Sequence, residues 1–200
     1  MKKQIVIIHG GDTFETYEEY LKFLKDWQID LDRYRLGKIE WKKNLHKILG
    51  DDYDVILPEM PNRINAKYAE WQIWFDKFVP LFESEMILIG HSMGGSFLAK
   101  YLAENIFPKK IKGLFLIAPP FDGDSEYPLA SFALPADLSQ LASQPEKIFL
   151  YQSQDDPVVP FTELEKYQKN LPNATIRIFP DRGHFMQPEL PEIIEDIKSL

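Results

Sequence analysis

Three residue types that together activate a hydroxyl for attack stand at three separate places in this chain. Ser92 is the centre of Gly90-His91-Ser92-Met93-Gly94, a match to G-x-S-x-G. That motif marks a sharp strand-to-helix turn which presents a serine hydroxyl. Such a turn leaves no room for side chains two residues before and two after the serine, and glycine stands at both places. A lone serine is a weak nucleophile and needs a base, with a further group to orient that base. His184, in Gly183-His184-Phe185, is the candidate base. The orienting acid comes from Asp155-Asp156-Pro157-Val158-Val159-Pro160, where two adjacent carboxylates cannot both face one imidazole. The chemistry these types perform is acyl transfer. Ser92 attacks a carbonyl carbon, and His184 takes its proton and returns it to the leaving group.

These groups need a scaffold that brings them to one place. Six apolar, strand-like runs, at 4–8, 54–57, 86–89, 113–118, 147–151 and 175–179, alternate with helical stretches. That alternation predicts a parallel sheet with helices on both faces. Ser92, the acidic pair and His184 each follow a different run, and the carboxyl ends of parallel strands share one edge, where sites form. The segment 11–54 is expected to hold two helices, at 15–27 and 38–49, with Glu15, Glu18 and Glu19 favouring the start of the first. The segment 121–145 is short and predicts a minimal lid, a loop with one helix near 135–142, over an open, shallow site. Asn62 is a candidate cap for the helix after the second strand. Trp71, Trp74, Phe75 and Phe78 recur at helical spacing and are expected in the core, as are Trp27 and Trp41. Pro119, Pro120 and Phe121, ending the fourth strand, are candidates for a substrate pocket.

The 200 residues fit a single domain, 1–200, with a sizeable core. A formal net charge of −8 argues against a nucleic-acid partner, whose phosphates it would repel. There is no cysteine, which excludes disulfides, thiolate metal sites and a cysteine nucleophile, and fits a cytoplasmic protein. The first apolar run is too short for a secretion signal, and no run is long enough to span a membrane. No metal-ligand spacing, dinucleotide fingerprint or phosphate loop is present, so no cofactor is expected. Of the other histidines, His46 lies among lysines on a predicted helix and reads as a solvated surface residue.

With His9-Gly10-Gly11, the elbow, Asp155 to Pro160 and Gly183 to Phe185 in this order, the chain resembles the α/β-hydrolase superfamily over nearly its whole length. It is most similar to the compact serine hydrolases of the retinoblastoma-binding protein 9 and YdeN-like kind. The order Ser, Asp, His along the chain is that of the superfamily. The resemblance implies an α/β-hydrolase fold, with a mostly parallel sheet of about six strands in spatial order 2-1-3-4-5-6. It selects Asp156 as the acid and leaves Asp155 to stabilise the turn. It makes His91 structural and gives His9 the task of bracing the loop after the first strand. The oxyanion hole it implies is the Met93 amide with a second amide from that loop, Gly11 or, alternatively, Asp12. The expected function is a serine hydrolase that cleaves a small carboxylic ester. An amidase, peptidase or thioesterase would use the same residues, and a protein-binding module on a hydrolase scaffold is the rival from outside enzymology. The expected partner is a small-molecule acyl substrate, with no nucleic acid and no membrane. The oligomeric state stays open between monomer and dimer.

Overall fold

The computed structural model describes residues 2–31, 35, 40–122 and 129–200. The expected start of the second helix at 38, and positions 123–128 of the expected lid segment, lie outside the described residues. The strands are β1 (Lys3–Ile8), β2 (Tyr53–Ile56), β3 (Met86–His91), β4 (Ile111–Ile117), β5 (Pro145–Ser153) and β6 (Thr175–Phe179). They form one six-stranded sheet in the order β2-β1-β3-β4-β5-β6. Every pairing is parallel. Sheet, strand order and helices on both faces agree with the expected α/β-hydrolase fold.

The strands read as near-continuous apolar runs because both faces of the sheet are covered. Side chains alternate between the two sides. Val6, Ile8, Leu88, Leu114, Leu116 and Leu150 enter one core cluster. Ile5, Ile7, Ile89, Phe115, Ile117 and Tyr151 enter the other. On the first side lie α3 (Tyr68–Phe78), α4 (Met93–Glu104), α5 (Ser139–Ala142) and α6 (Thr162–Asn170). On the second lie α2 (Trp41–Leu49) and α7 (Pro191–Lys198).

The remaining helix, α1 (Tyr17–Asp26), buries no residue. It starts where it does because Thr16 and Glu19 form a capping box. The Glu19 amide donates to the Thr16 hydroxyl, and the Thr16 amide donates to the Glu19 carboxylate. Trp27 follows it at 38% exposure, packed on Phe23 with ring centroids 4.9 Å apart, so it does not enter the core as expected. Trp41, Trp71 and Phe75 do. Trp74 is 39% exposed, because it faces outward on α3 and donates its indole N–H to the Glu59 carbonyl. Asn62 does not cap α3. Its carbonyl accepts from Asn65 in a turn, its own φ is 50°, and the helix begins only after Lys67. Among the described residues no helix is long and apolar enough to cross a membrane.

Candidate active site

The elbow is built by close backbone packing. Ser92 lies between β3 and α4 with φ 55° and ψ −130°, a conformation that L-residues avoid. Backbone bonds hold it there: its amide donates to the Ile117 carbonyl at 2.8 Å, and its carbonyl accepts from the Gly95 amide at 2.8 Å and the Ser96 amide at 3.3 Å. The flanking glycines are required for separate reasons. A Cβ on Gly90 would stand 2.5 Å from the Gly94 carbonyl oxygen, inside the turn itself. A Cβ on Gly94 would collide with the backbone carbonyls of Ile8 and His9 at the end of β1. The elbow is therefore wedged against the neighbouring strand, and Ser92 is 4% exposed.

Asp156 and His184 come together from loops after β5 and β6. His184 Nδ1 lies 2.9 Å from Asp156 Oδ2 and 3.1 Å from Oδ1. The Asp156 side chain is fully buried, and that of His184 is 13% exposed. Asp156 Oδ1 also accepts from the amides of Val158 and Val159, at 2.8 and 3.0 Å. The carboxylate is thus held by its own loop and meets the imidazole in a set orientation.

Asp155 turns the other way. Its Oδ1 accepts from the Ser153 hydroxyl at 2.6 Å and the Gly183 amide at 2.8 Å. Those bonds hold its carboxyl below the usual carboxylate range, the Ser153 hydroxyl contributing most. It ties the β5 loop to the histidine loop, which fits its expected role in the turn.

Between the elbow and the histidine loop lies His91. Its ring centroid is 4.9 Å from that of His184. His91 Nε2 is 2.9 Å from the His184 carbonyl oxygen, and its Nδ1 is 3.3 Å from Lys42 Nζ. Among the described residues no hydrogen bond joins the Ser92 hydroxyl to His184 directly. In serine nucleophiles that contact commonly tightens only once substrate is bound.

The loop after β1 completes the setting. His9 Nδ1 donates to the Gly10 carbonyl at 2.7 Å, and the Met60 amide donates to His9 Nε2 at 2.9 Å. Burial holds the His9 imidazole below its ordinary pKa. A Cβ on Gly10 would stand 3.0 Å from Ser92 Cβ, so this loop lies directly against the nucleophile candidate. The Asp12 amide donates to the Arg63 carbonyl at 2.8 Å. Gly11 packs on the same carbonyl, 2.5 Å from where its Cβ would lie. Met93 is the first residue of α4 and wholly buried. Its amide belongs to the first turn, whose N–H groups have no partner within the helix.

Pro119, Pro120 and Phe121 close the neighbouring edge rather than standing open. The Pro120 carbonyl accepts from the hydroxyls of Ser96 and Tyr167. Phe121 is 7% exposed and packs edge-on against Tyr167. Its amide donates to the buried carboxylate of Glu163 at 2.6 Å. His46 is exposed on α2, as expected.

Two charged residues beside the site escape a reading of spacing alone. Asp12 has its carboxyl pushed up by burial, and the charges of Arg63 and His184 pull it partly back. Lys42, one of a run of lysines on an amphipathic helix, is buried. The helical period was the available signal for it, since Lys42 neighbours the core residues Trp41 and Leu45. Among the described residues no group of three or more His, Asp or Glu side chains is placed to hold a metal ion.

Known proteins share this architecture. The family model described as "Serine hydrolase" matches residues 37–189. The serine hydrolase RBBP9 of Rattus norvegicus is 26% identical over 168 residues, covering 80% of this chain and 83% of the rat protein. The ydeN gene product of B. subtilis superposes with a TM-score of 0.69 at 16% identity, over 99% of this chain and 98% of that one. The methylesterase MES16 of Arabidopsis superposes with a TM-score of 0.60 at 13% identity, over 99% of this chain and 100% of that one.

Proposed function

The chain belongs to the serine hydrolase family, and from that premise we propose that it hydrolyses a small carboxylic ester through an acyl-enzyme on Ser92. One observation carries this reading. A serine in a strained elbow at the carboxyl edge of the sheet shares that edge with a histidine hydrogen-bonded to a buried aspartate. Strain of this kind costs of order 1–3 kcal/mol and persists where function requires the geometry.

Each step follows from which atoms are already engaged. His184 Nδ1 is committed to Asp156, so Nε2 is the nitrogen left to take the Ser92 proton. As that proton leaves, Ser92 Oγ bonds to the carbonyl carbon and the carbonyl oxygen becomes an oxyanion. The Met93 amide and a second amide from the loop after β1, that of Gly11 or Asp12, are the donors assigned to it by the family geometry. Collapse of the tetrahedral adduct expels the alcohol, which takes the proton from His184. A water molecule then gives a proton to His184 and attacks the acyl carbon, and His184 returns that proton to Ser92 Oγ as the acyl–oxygen bond breaks and the acid is released. The buried Asp156 carboxylate faces the imidazolium at both stages and stabilises it.

The test is labelling by a fluorophosphonate, comparing wild type with Ser92→Ala. Rapid labelling that the substitution abolishes is the expected result. A well-folded wild type that resists the probe would overturn the reading and favour a binding role for the scaffold. Relative rates on matched ester, thioester and anilide substrates then rank the acyl group.

A further inference from the structure

Trp41, at the start of α2, is hydrogen-bonded twice to the histidine loop, although the helix contributes nothing to the proposed chemistry. The Trp41 indole N–H donates to the Phe185 carbonyl at 2.9 Å, and the Trp41 amide donates to the Gln187 carbonyl at 3.0 Å. Phe185 itself has φ 53°, so the loop is held in a conformation it would not choose unaided. Next to Trp41, the Lys42 ammonium is 6% exposed, within 3.2 Å of Glu40 and 3.3 Å of His91 Nδ1.

His91 Nε2 faces a carbonyl oxygen, which only accepts, so Nε2 must carry a proton. Burial holds His91 well below its ordinary pKa, and the Lys42 and His184 charges add to the effect, so the ring is neutral. Nδ1 is then a bare acceptor, and Lys42 is its donor. Removing that donor leaves a buried acceptor unsatisfied. It also permits the other tautomer, with Nδ1 protonated and a lone pair aimed at the His184 carbonyl.

We propose that Lys42 is a positioning residue: by fixing the tautomer of His91 it keeps the His184 main chain bonded, and with Trp41 it braces the loop that carries the imidazole. This rests on the serine hydrolase reading above. Lys42 touches neither Ser92 nor Asp156 through any bond described, so its effect on turnover passes through His91.

The test uses Lys42→Met, which keeps the buried stem and drops the donor, His91→Gln, whose amide nitrogen can reach the Nε2 place and donate to His184 without help, and the double variant. On a p-nitrophenyl ester, Lys42→Met is expected to lower kcat about 10- to 100-fold, the scale of a small misplacement of a catalytic group. KM is expected to stay within about threefold, since no substrate contact is removed. In the His91→Gln background, Lys42→Met should cost less than about twofold, because non-additivity marks residues that act in one chain. Multiplying losses in the double variant, or a Lys42→Met protein that loses thermal stability while its folded fraction turns over normally, would overturn the proposal. An arm independent of turnover is the imidazole nitrogen spectrum. Wild type should show His91 protonated at Nε2, and Lys42→Met should shift the His91 and His184 resonances. Unchanged resonances would overturn the brace even if Ser92 resisted the fluorophosphonate, and shifted ones would uphold it in that case too.

Discussion

The carboxylate of Asp156 serves its own loop and His184 together: Oδ1 accepts from the amides of Val158 and Val159 and lies 3.1 Å from His184 Nδ1, and Oδ2 lies 2.9 Å from the same nitrogen. Asp155, one residue earlier, faces Ser153 and Gly183 instead. The two adjacent acids therefore carry separate tasks.

Replacing them separates those tasks. In Asp156→Asn the side-chain amide can still accept from Val158 and Val159, but its NH2 then faces His184 and forces the wrong tautomer. The expected loss in kcat is about 10⁴-fold, the scale known for such a change in a Ser-His-Asp arrangement. Asp155→Asn is expected to cost less than about tenfold, because it loosens a loop and removes no reacting group. Steady-state kinetics on an activated ester, with circular dichroism to verify folding, would distinguish the two. Equal losses would contradict the assignment of the acid.

Ser92 sits at φ 55°, and glycine relieves that strain without disturbing the backbone bonds to Ile117 and Gly95. Ser92→Gly should abolish fluorophosphonate labelling while raising stability by about 1 kcal/mol, the strain released less the extra freedom of the unfolded chain. Urea unfolding against wild type measures it. A destabilised Ser92→Gly protein would show that the elbow carries no strain.

Glycine substitutions should divide by what a Cβ would strike. In Gly94→Ala it collides with carbonyls of the neighbouring strand, which cannot yield without moving β1. The expected cost is about 3 kcal/mol or more, or failure to fold. Gly183→Ala meets nothing within 4 Å and bears only its φ of 50°, an expected cost of about 1 kcal/mol. The midpoint of urea unfolding ranks them.

His9 and His91 both have pKa values lowered by burial, which makes stability depend on pH. Below about pH 6.5 the unfolded chain binds protons at these rings that the folded chain refuses, so stability falls as pH falls. Above about pH 7.5 both states hold the rings neutral and this contribution is flat. Between pH 7.5 and 5.5 stability should therefore fall, with His91, the more strongly shifted ring, contributing the larger share. Urea unfolding at those two pH values measures the total, and His91→Gln should remove the larger part of it. A chain equally stable at both, or less stable at pH 7.5, would contradict the burial of neutral rings.

What could be read without coordinates follows local rules. The six apolar runs and the glycines around Ser92 reflect period, turn sterics and strand burial, which operate over a few residues. With the resemblance they carry the strand order, the elbow and the pairing of Asp156 with His184. The first helix was legible to within a few residues from its acidic start at Glu15, Glu18 and Glu19, and Asn62 misled because a turn intervenes before Lys67. The tertiary structure alone decided what depends on contacts between distant segments. It bonded the Asp12 amide to the Arg63 carbonyl, left Trp27 and Trp74 facing outward, and buried Lys42 against His91. Spacing places a residue on an element, but a hydrogen-bond donor is committed only when another segment arrives to accept it. That is why the nucleophile candidate could be named from the chain, while the contacts of Trp41 and Lys42 around its histidine loop required the fold.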